Sequence, residues 1–366
     1  MKKKIVVSAI NIFEGGPLTI LYECLLYLSN NTSKEYEIIA FVYDKSLLSI
    51  NNITFIEVPQ SRKNYIFRLY YEYVWFYFQS KRLKPFLWLS LHDITPNVIA
   101  DKRVVYCHNP SPFFKISFDQ IYKEPKLGFF SIFYSLIYKI NLNKNSHIIV
   151  QQKWIRDIFK KKFQTKSYIL VSPPEVNVQD FSKNLPNDHS LNELVPFFFY
   201  PAFPRVFKNF EIICEAAIEL KKINSNFNVY LTISGNENRY SKWLFSKYGK
   251  VENIKFIGKQ DKENVFKLYK KCIGLIFPSK LETWGLPITE AKYFCKPIIL
   301  ADLPYSHETV GSYNKVVFFN PNNSLELFGI MNNILSRKQI YTNTTISQSE
   351  NFICSNWETT FKNILN

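Results

Sequence analysis

Two carboxylates bracket a glycine in the segment FPSKLETWGLPITEAKYF, residues 277–294: Glu282 precedes Gly285 and Glu290 follows it. Pro287 suits the first turn of a helix, where its fixed φ helps and its missing N–H is not needed. A helix starting there leaves the N–H groups of Gly285, Leu286 and Ile288 free at the positive end of a dipole, which is an anion site. Gly285 lets a phosphate come close to the backbone. Glu290 then lies about a turn inside the helix, within reach of hydroxyls beside the phosphate, and Glu282 reaches the other end of the same ligand. A sugar joined to a ribose through a diphosphate has that outline. Spacing alone is equally consistent with a turn residue at 282 and a favourable first-turn acid at 290.

Other polar residues follow strand-like runs, and ligands of open parallel sheets sit beyond the carboxyl ends of the strands. Gly15-Gly16 follows KKIVVSAINI (3–12). His92-Asp93 ends FLWLSLHD (86–93), and His108-Asn109 ends KRVVYCHN (102–109). Arg205 and Lys208 follow VPFFFYPAF (195–203), and the two-carboxylate segment follows IGLIFPS (273–279). Each of these residues also has a plainer role: a tight turn for the glycines, a loop-satisfied imidazole for the histidines, a surface cation for Lys208.

The elements that must position them alternate along the chain. The dense β-branched run at 3–12 reads as a strand buried on both faces, and 37–44, 53–59, 86–93, 102–109, 146–152 and 166–174 read as further strands. LTILYECLLYLSNN (18–31) and residues 62–83 read as helices. A polar stretch at 177–194, with Pro, Asn and Asp and no apolar periodicity, marks a seam. A second strand–helix series follows, with strands at 195–203, 227–235, 273–279, 296–302 and 315–320. Its helices are expected at 209–223, 262–272, 287–295 and 326–337. This cadence favours two doubly wound parallel sheets. The expected division is 1–180, 181–345 and a terminal helical segment, 346–366, packing back on the first domain.

Composition sets the limits. A chain of 366 residues suits two domains, and 46% apolar content supplies ample core. The formal net charge is +16, and residues 1–180 carry 24 basic against 14 acidic side chains. That balance suits an anionic partner, although a lysine-rich solvated surface explains it equally well. Six cysteines without C-x-x-C spacing read as reduced core residues of a cytosolic protein. The opening MKKKIVVSAINIF imitates a secretory leader but is short and runs into Glu14-Gly15-Gly16, so a first strand is expected. The most apolar run, GFFSIFYSLIY (128–138), falls short of the ~20 residues of a membrane span.

PSKLETWGLPITEA, from Pro278 to Ala291, resembles the two-glutamate signature of family 4 glycosyltransferases, which have the GT-B fold: two Rossmann-like doubly wound domains facing across a cleft. The resemblance extends from Gly15-Gly16 through His108, Lys208-Asn209, Gly235 and Ile257-Gly258 to Glu308–Gly311. The stretches VVYCHNPSPF and YPAFPRVFKNFE are similar to bacterial O-antigen glycosyltransferases. By that resemblance, Glu290 holds the ribose hydroxyls and Glu282 contacts the donor sugar. Gly285 and Leu286 bind the diphosphate, with Gly15 and Gly16 opposite. Lys208 neutralises the leaving phosphate, and His108 orients sugar and acceptor. His92, Asp93 and Asn109 fall on the acceptor side. The family commonly places Arg five residues before the lysine, where this chain has Phe203; Arg205 is expected to take that part from a shifted loop.

The resemblance implies a retaining transfer of a hexose, with glucose the leading guess, from a nucleotide sugar, UDP-linked by preference. The implied acceptor is an undecaprenyl-diphosphate-linked saccharide of O-antigen or lipopolysaccharide assembly. No D-x-D pattern and no zinc-spaced His/Cys cluster occurs, so no metal or cofactor is expected. RKNYIFRLYYEYVWFYFQSKRLK (62–84) interleaves bases with aromatics, as at an anionic membrane interface, so a cytoplasmic protein held peripherally at the inner membrane is expected. A core-facing aromatic helix is the plainer alternative, and no nucleic-acid motif accompanies the segment. Two rival functions are a sugar-nucleotide epimerase of the same architecture and a non-catalytic scaffold copy.

Overall fold

The computed structural model describes residues 2–174, 195–338, 341–342, 354 and 356–366. The expected seam at 177–194 lies outside the described residues, as does most of 346–355. The chain divides into two compact units, one within Met1–Pro112, Ile132–Glu175 and Ser349–Asn366, the other within Phe113–Ser131 and Val176–Gln348. Residues 113–131 join the second unit, although sequence order places them with the first. Glu124 bonds to Arg205 and to the Val206 amide, and Phe114 packs edge-on against Phe207.

The first unit is a seven-stranded parallel sheet of order β3-β2-β1-β4-β5-β6-β7. Its strands are β1 (Lys3–Ala9), β2 (Tyr36–Val42), β3 (Thr54–Glu57), β4 (Leu87–Ser90), β5 (Lys102–Cys107), β6 (His147–Val150) and β7 (Tyr168–Val171). Side chains alternate across β1. Ile5, Val7 and Ala9 face a core shared with Leu21, Cys24, Leu25 and Leu28 of the helix Gly15–Thr32 and with Trp357, Phe361 and Ile364 of the helix Trp357–Leu365. Val6 faces the opposite core of Phe41, Phe76 and Trp88. Period two is what a strand buried on both faces requires.

The second unit is a six-stranded parallel sheet of order β10-β9-β8-β11-β12-β13. Its strands are β8 (Phe197–Tyr200), β9 (Asn228–Leu231), β10 (Ile254–Phe256), β11 (Gly274–Phe277), β12 (Ile298–Ala301) and β13 (Val316–Phe319). Strand direction of winding reverses between β1 and β4 in the first sheet and between β8 and β11 in the second. Loops on either side of such a switch point diverge and leave a crevice for ligands.

Several helices escape the periodicity argument: Phe118–Lys123, Pro125–Lys139, Lys153–Phe163, Arg239–Tyr248 and Pro304–Val310. The helical stretch expected over 62–83 runs from Tyr65 to Leu83 but passes through a π-turn at Tyr71–Trp75. That extra residue per turn swings Glu72 fully inward. Five cysteines are buried as expected, but Cys295 is exposed just past the helix Leu286–Tyr293, with φ of 54°.

Candidate functional site

The switch point of the second sheet gathers the residues of the two-carboxylate segment. Beyond β8, the chain passes Arg205 into a 3-10 turn, Val206–Lys208, and reverses at Asn209, which adopts φ of 57°. The Asn209 amide donates to Pro278 O at 3.2 Å and Pro321 O at 2.9 Å, clamping this turn to the loop after β11. Tyr200 donates to Lys208 O at 2.9 Å, and Lys280 N donates to Phe207 O at 2.7 Å. The lysine is therefore held from both neighbouring strands, and its ammonium pairs with the Glu282 carboxylate. Both side chains are largely buried, which lowers the dielectric around the pair and strengthens it.

Past Glu282 the loop turns at Gly285, whose φ of 84° disfavours any side chain. A Cβ built there stands 3.1 Å from Ile288 Cδ1 and 3.3 Å from Phe277 Cε1. The helix Leu286–Tyr293 starts at once, with Pro287 in its first turn and no side chain capping it. One expectation fails: the Ile288 amide donates to Gly285 O at 2.9 Å. The amides left for an anion are those of Gly285 and Leu286. A tight first turn consumed the third.

Glu290 lies one turn inside this helix. Burial pushes its carboxyl above the ordinary range, opposed by Lys262 and by the Tyr269 hydroxyl beside it. That hydroxyl also donates to Pro287 O at 3.1 Å, bracing the start of the helix. The Trp284 carbonyl accepts from Thr309 Oγ1, and Tyr305 donates to Ser279 O at 2.6 Å. Tyr200, Asn209, Tyr269, Tyr305 and Thr309 thus shape the site; the resemblance covered Asn209 and Thr309 without giving them a role, and sequence reasoning missed the three tyrosines. The tyrosines come from separate elements and carry no local motif.

Arg205 turns onto Glu124, with Nε 2.7 Å from Oε1, while Glu124 Oε2 accepts from Val206 N at 3.0 Å. The guanidinium stays about one-third exposed. Its shifted position is therefore stabilised by a carboxylate from the 113–131 segment. Burial pushes the Glu124 carboxyl up, and Arg205 and the Val206 amide hold it down.

The remaining expected residues lie at the switch point of the first sheet. Gly15 has φ of 70° and opens the helix Gly15–Thr32, with Gly16 in its first turn and no side-chain cap from Glu14. Asp93, itself at φ of 74°, accepts from His108 N at 2.7 Å and Asn109 N at 2.8 Å through Oδ1. Its Oδ2 lies 3.7 Å from His108 Nε2. Asp93 therefore organises the loop that carries His108 and Asn109, and its carboxylate is taken up by that loop. Burial holds the His108 imidazole below its ordinary range, reinforced by His92 and Arg68 and opposed by Asp93.

His92 does not fit an acceptor-side contact. It is fully buried, with Nδ1 2.9 Å from Glu72 Oε1 on the π-turn. The π-turn aims that carboxylate at the imidazole, an arrangement periodicity could not anticipate. Asn109 spends its side-chain oxygen on Ser111 N at 3.0 Å, and its carbonyl accepts from Tyr138 at 3.2 Å. Among the described residues, no group of three or more His, Cys, Asp or Glu side chains could hold a metal ion.

Residues 183–349 match the family model described as "Glycosyl transferases group 1". No curated protein matches the chain. Solved structures of the same fold include a glycosyltransferase from Rickettsia africae, with TM-score 0.65 and 17% identity, covering 92% of this chain and 88% of that one. WaaG, a glycosyltransferase involved in lipopolysaccharide biosynthesis, is similar with TM-score 0.65 and 15% identity, over 91% and 90% of the two chains. Anabaena HepE, solved in complex with UDP-glucose, is similar with TM-score 0.59 and 16% identity, over 91% and 90%. At these identities the likeness is one of fold: two Rossmann-like α/β units, as in GT-B glycosyltransferases.

Proposed function

We propose that this chain is a retaining glycosyltransferase that takes a hexose from a nucleotide sugar, UDP-linked by preference, and passes it to a lipid-linked saccharide of lipopolysaccharide or O-antigen assembly. The observation that carries the reading is the Lys208–Glu282 pair at the switch point, beside the uncapped helix start at Gly285–Leu286. The match of residues 183–349 and the UDP-glucose held by a protein of like fold support it.

In this reading the diphosphate lies on the amides of Gly285 and Leu286, and Glu290 accepts the ribose hydroxyls. Lys208 leaves Glu282 for the phosphates, which carry more charge. Glu282 is then free to accept a hydroxyl of the donor sugar. The acceptor hydroxyl attacks the anomeric carbon on the face from which the diphosphate departs. The anomeric C–O bond breaks, a phosphate oxygen takes the acceptor's proton, and Lys208 with the two amides stabilises the charge that develops. Arg205, braced by Glu124, supplies a second cation near the leaving group. His108, kept neutral by burial, orients acceptor hydroxyls and removes no proton. Since Lys208 and the amides meet the leaving-group charge, the reaction needs no metal.

No described helix is long and apolar enough to cross a membrane. Ile66, Tyr70, Val74 and Phe78 recur every fourth residue and are all exposed, with Lys63, Lys81, Arg82 and Lys84 at the ends of the stretch. An apolar stripe flanked by bases suits the interface of an anionic membrane, where a lipid-linked acceptor would be presented.

The test is incubation of the chain with a panel of radiolabelled nucleotide sugars and bacterial lipid extract, with and without EDTA. Label transferred to lipid with retained anomeric configuration, undiminished by EDTA, is the expected result. Epimerised donor with no labelled lipid would favour the epimerase, and absence of any turnover the scaffold. Activity lost in EDTA and restored by Mg²⁺ would remove the metal-free step.

A further inference from the structure

Arg68 is a charged residue that the transfer reaction leaves unused. It lies on the helix Tyr65–Tyr70, and its Nε is sealed from solvent although the residue as a whole is partly exposed. Its Nη1 donates to Tyr134 Oη at 2.8 Å and its Nη2 to His92 O at 3.0 Å. The guanidinium is therefore held from two directions, by the helix Pro125–Lys139 and by the loop after β4. Burial opposes its charge, but Tyr134, Glu72 and Asp93 outweigh burial and hold it more firmly protonated than a free arginine. Of these two carboxylates, Glu72 also faces His92 Nδ1 at 2.9 Å.

Asp93 is the residue through which that cation reaches the site. It is 5% exposed, and its backbone has φ of 74°, a left-handed conformation that Asp and Asn tolerate better than other residues with a side chain. Its amide donates to Tyr106 O at 3.1 Å, and its Oδ1 accepts the amides of His108 at 2.7 Å and Asn109 at 2.8 Å. Two amides on one oxygen favour the ionised carboxylate, but an enclosed carboxylate without a countercharge is costly. The His108 imidazole, kept neutral by burial, supplies none, whereas Arg68 is a permanent cation that acts on Asp93. All of these residues belong to the first unit.

We infer that Arg68 is a positioning residue for the acceptor side of the site: it keeps the Asp93 carboxylate ionised and in place, and Asp93 in turn fixes the backbone of His108 and Asn109. What the His108 loop does is taken from the glycosyltransferase reading; how that loop is held does not depend on it.

The test is residue-resolved hydrogen exchange of the full chain at pH 7. The amides of His108 and Asn109 are the readout, and those of Val6 and Leu89 in the central strands β1 and β4 control for global opening. In Arg68→Gln the two loop amides should exchange at least about tenfold faster, the scale of weakening a hydrogen bond to a charged group, with the control amides unchanged. Asp93→Asn suits the left-handed backbone but removes the charge, and should have the same effect. The double variant should be no worse than the more affected single one, because both act through one carboxylate. Arg68→Lys keeps the charge and should stay within threefold of the wild type. Calorimetric titration with UDP should give the same Kd in every variant. In the transfer assay with lipid extract, Arg68→Gln should raise the KM for the lipid acceptor about tenfold and leave that for the nucleotide sugar unchanged. Unchanged exchange at His108 and Asn109 in Arg68→Gln, additive effects in the double variant, equal loss in Arg68→Lys and Arg68→Gln, or an acceptor KM within twofold of the wild type would each overturn the inference. Should Arg68→Gln fail to fold, Asp93→Asn and Arg68→Lys carry the same test, and Asp93→Asn without effect on the two amides overturns it. Absence of transfer by the wild-type chain would instead overturn the glycosyltransferase reading, and the exchange result would still stand.

Discussion

Replacing Glu290 separates ligand recognition from stability. The carboxylate sits one turn inside the helix that starts at Gly285, partly buried beside Tyr269, and burial raises its pKa. We predict that Glu290→Ala weakens UDP-glucose binding by about 1.5–3 kcal/mol, the worth of hydrogen bonds to a charged group, or roughly 10- to 150-fold in Kd. Glu290→Gln keeps one acceptor and loses the charge, so its loss should be smaller, about tenfold. The sign of the stability effect is opposite. A folded pKa above the unfolded value of about 4.3 means that protonation is favoured in the fold. That contribution is present below pH ~4.3 and is lost as pH rises through the folded pKa, so at pH 7 the ionised group costs stability. Glu290→Gln should therefore unfold at the same or a higher temperature than the wild type at pH 7. Calorimetric titration with UDP-glucose and thermal unfolding of the free chain read the two arms. Kd within twofold of wild type for Glu290→Ala would refute the ribose contact, and a fall of several degrees in Tm for Glu290→Gln would refute the electrostatic argument.

Lys208→Gln should lower kcat about 100-fold or more with a smaller change in donor affinity, because its cation acts mainly on charge that develops at the leaving group. Steady-state kinetics that leave kcat within threefold would count against that role. Gly285→Ala places a side chain at φ of 84° and a methyl against Ile288 and Phe277, so urea unfolding should show a loss of about 1–2 kcal/mol and donor affinity should fall with it. Because the folded pKa of His108 lies below the unfolded value of about 6.5, its share of stability is complete above pH ~6.5 and is lost as pH falls through the folded pKa. Urea midpoints between pH 7.5 and 5.5 should fall more steeply for the wild type than for His108→Gln; parallel slopes would contradict the burial argument. Ile66→Asp with Phe78→Asp should reduce co-sedimentation with anionic vesicles, and equal pelleting would remove the membrane face.

Much of this molecule follows from local pattern. Every strand of the first sheet, and all but Ile254–Phe256 of the second, was legible as an apolar run; central strands such as Lys3–Ala9 and Gly274–Phe277 are apolar because both faces are buried, whereas the edge strand Thr54–Glu57 has no buried residue. Short helices such as Arg239–Tyr248 and Lys153–Phe163 were passed over, although Tyr240, Leu244 and Tyr248 in one and Ile155, Phe159 and Phe163 in the other recur every fourth residue on the buried face. Glu282, Gly285 and Glu290 were found because their chemistry is contiguous in the chain. A proline-started helix, a left-handed glycine and two acids at fixed spacing are all dictated by neighbours. Other facts needed the tertiary structure. Lys208 meets Glu282 across 74 residues, because β8 and β11 are adjacent strands at a switch point. Glu124 reaches Arg205 only because residues 113–131 leave the first unit for the second. His92 was withdrawn from the surface by a π-turn that points Glu72 inward. Local sequence states which groups are available, but which of them face one another depends on strand order and chain crossing, and no residue encodes those alone.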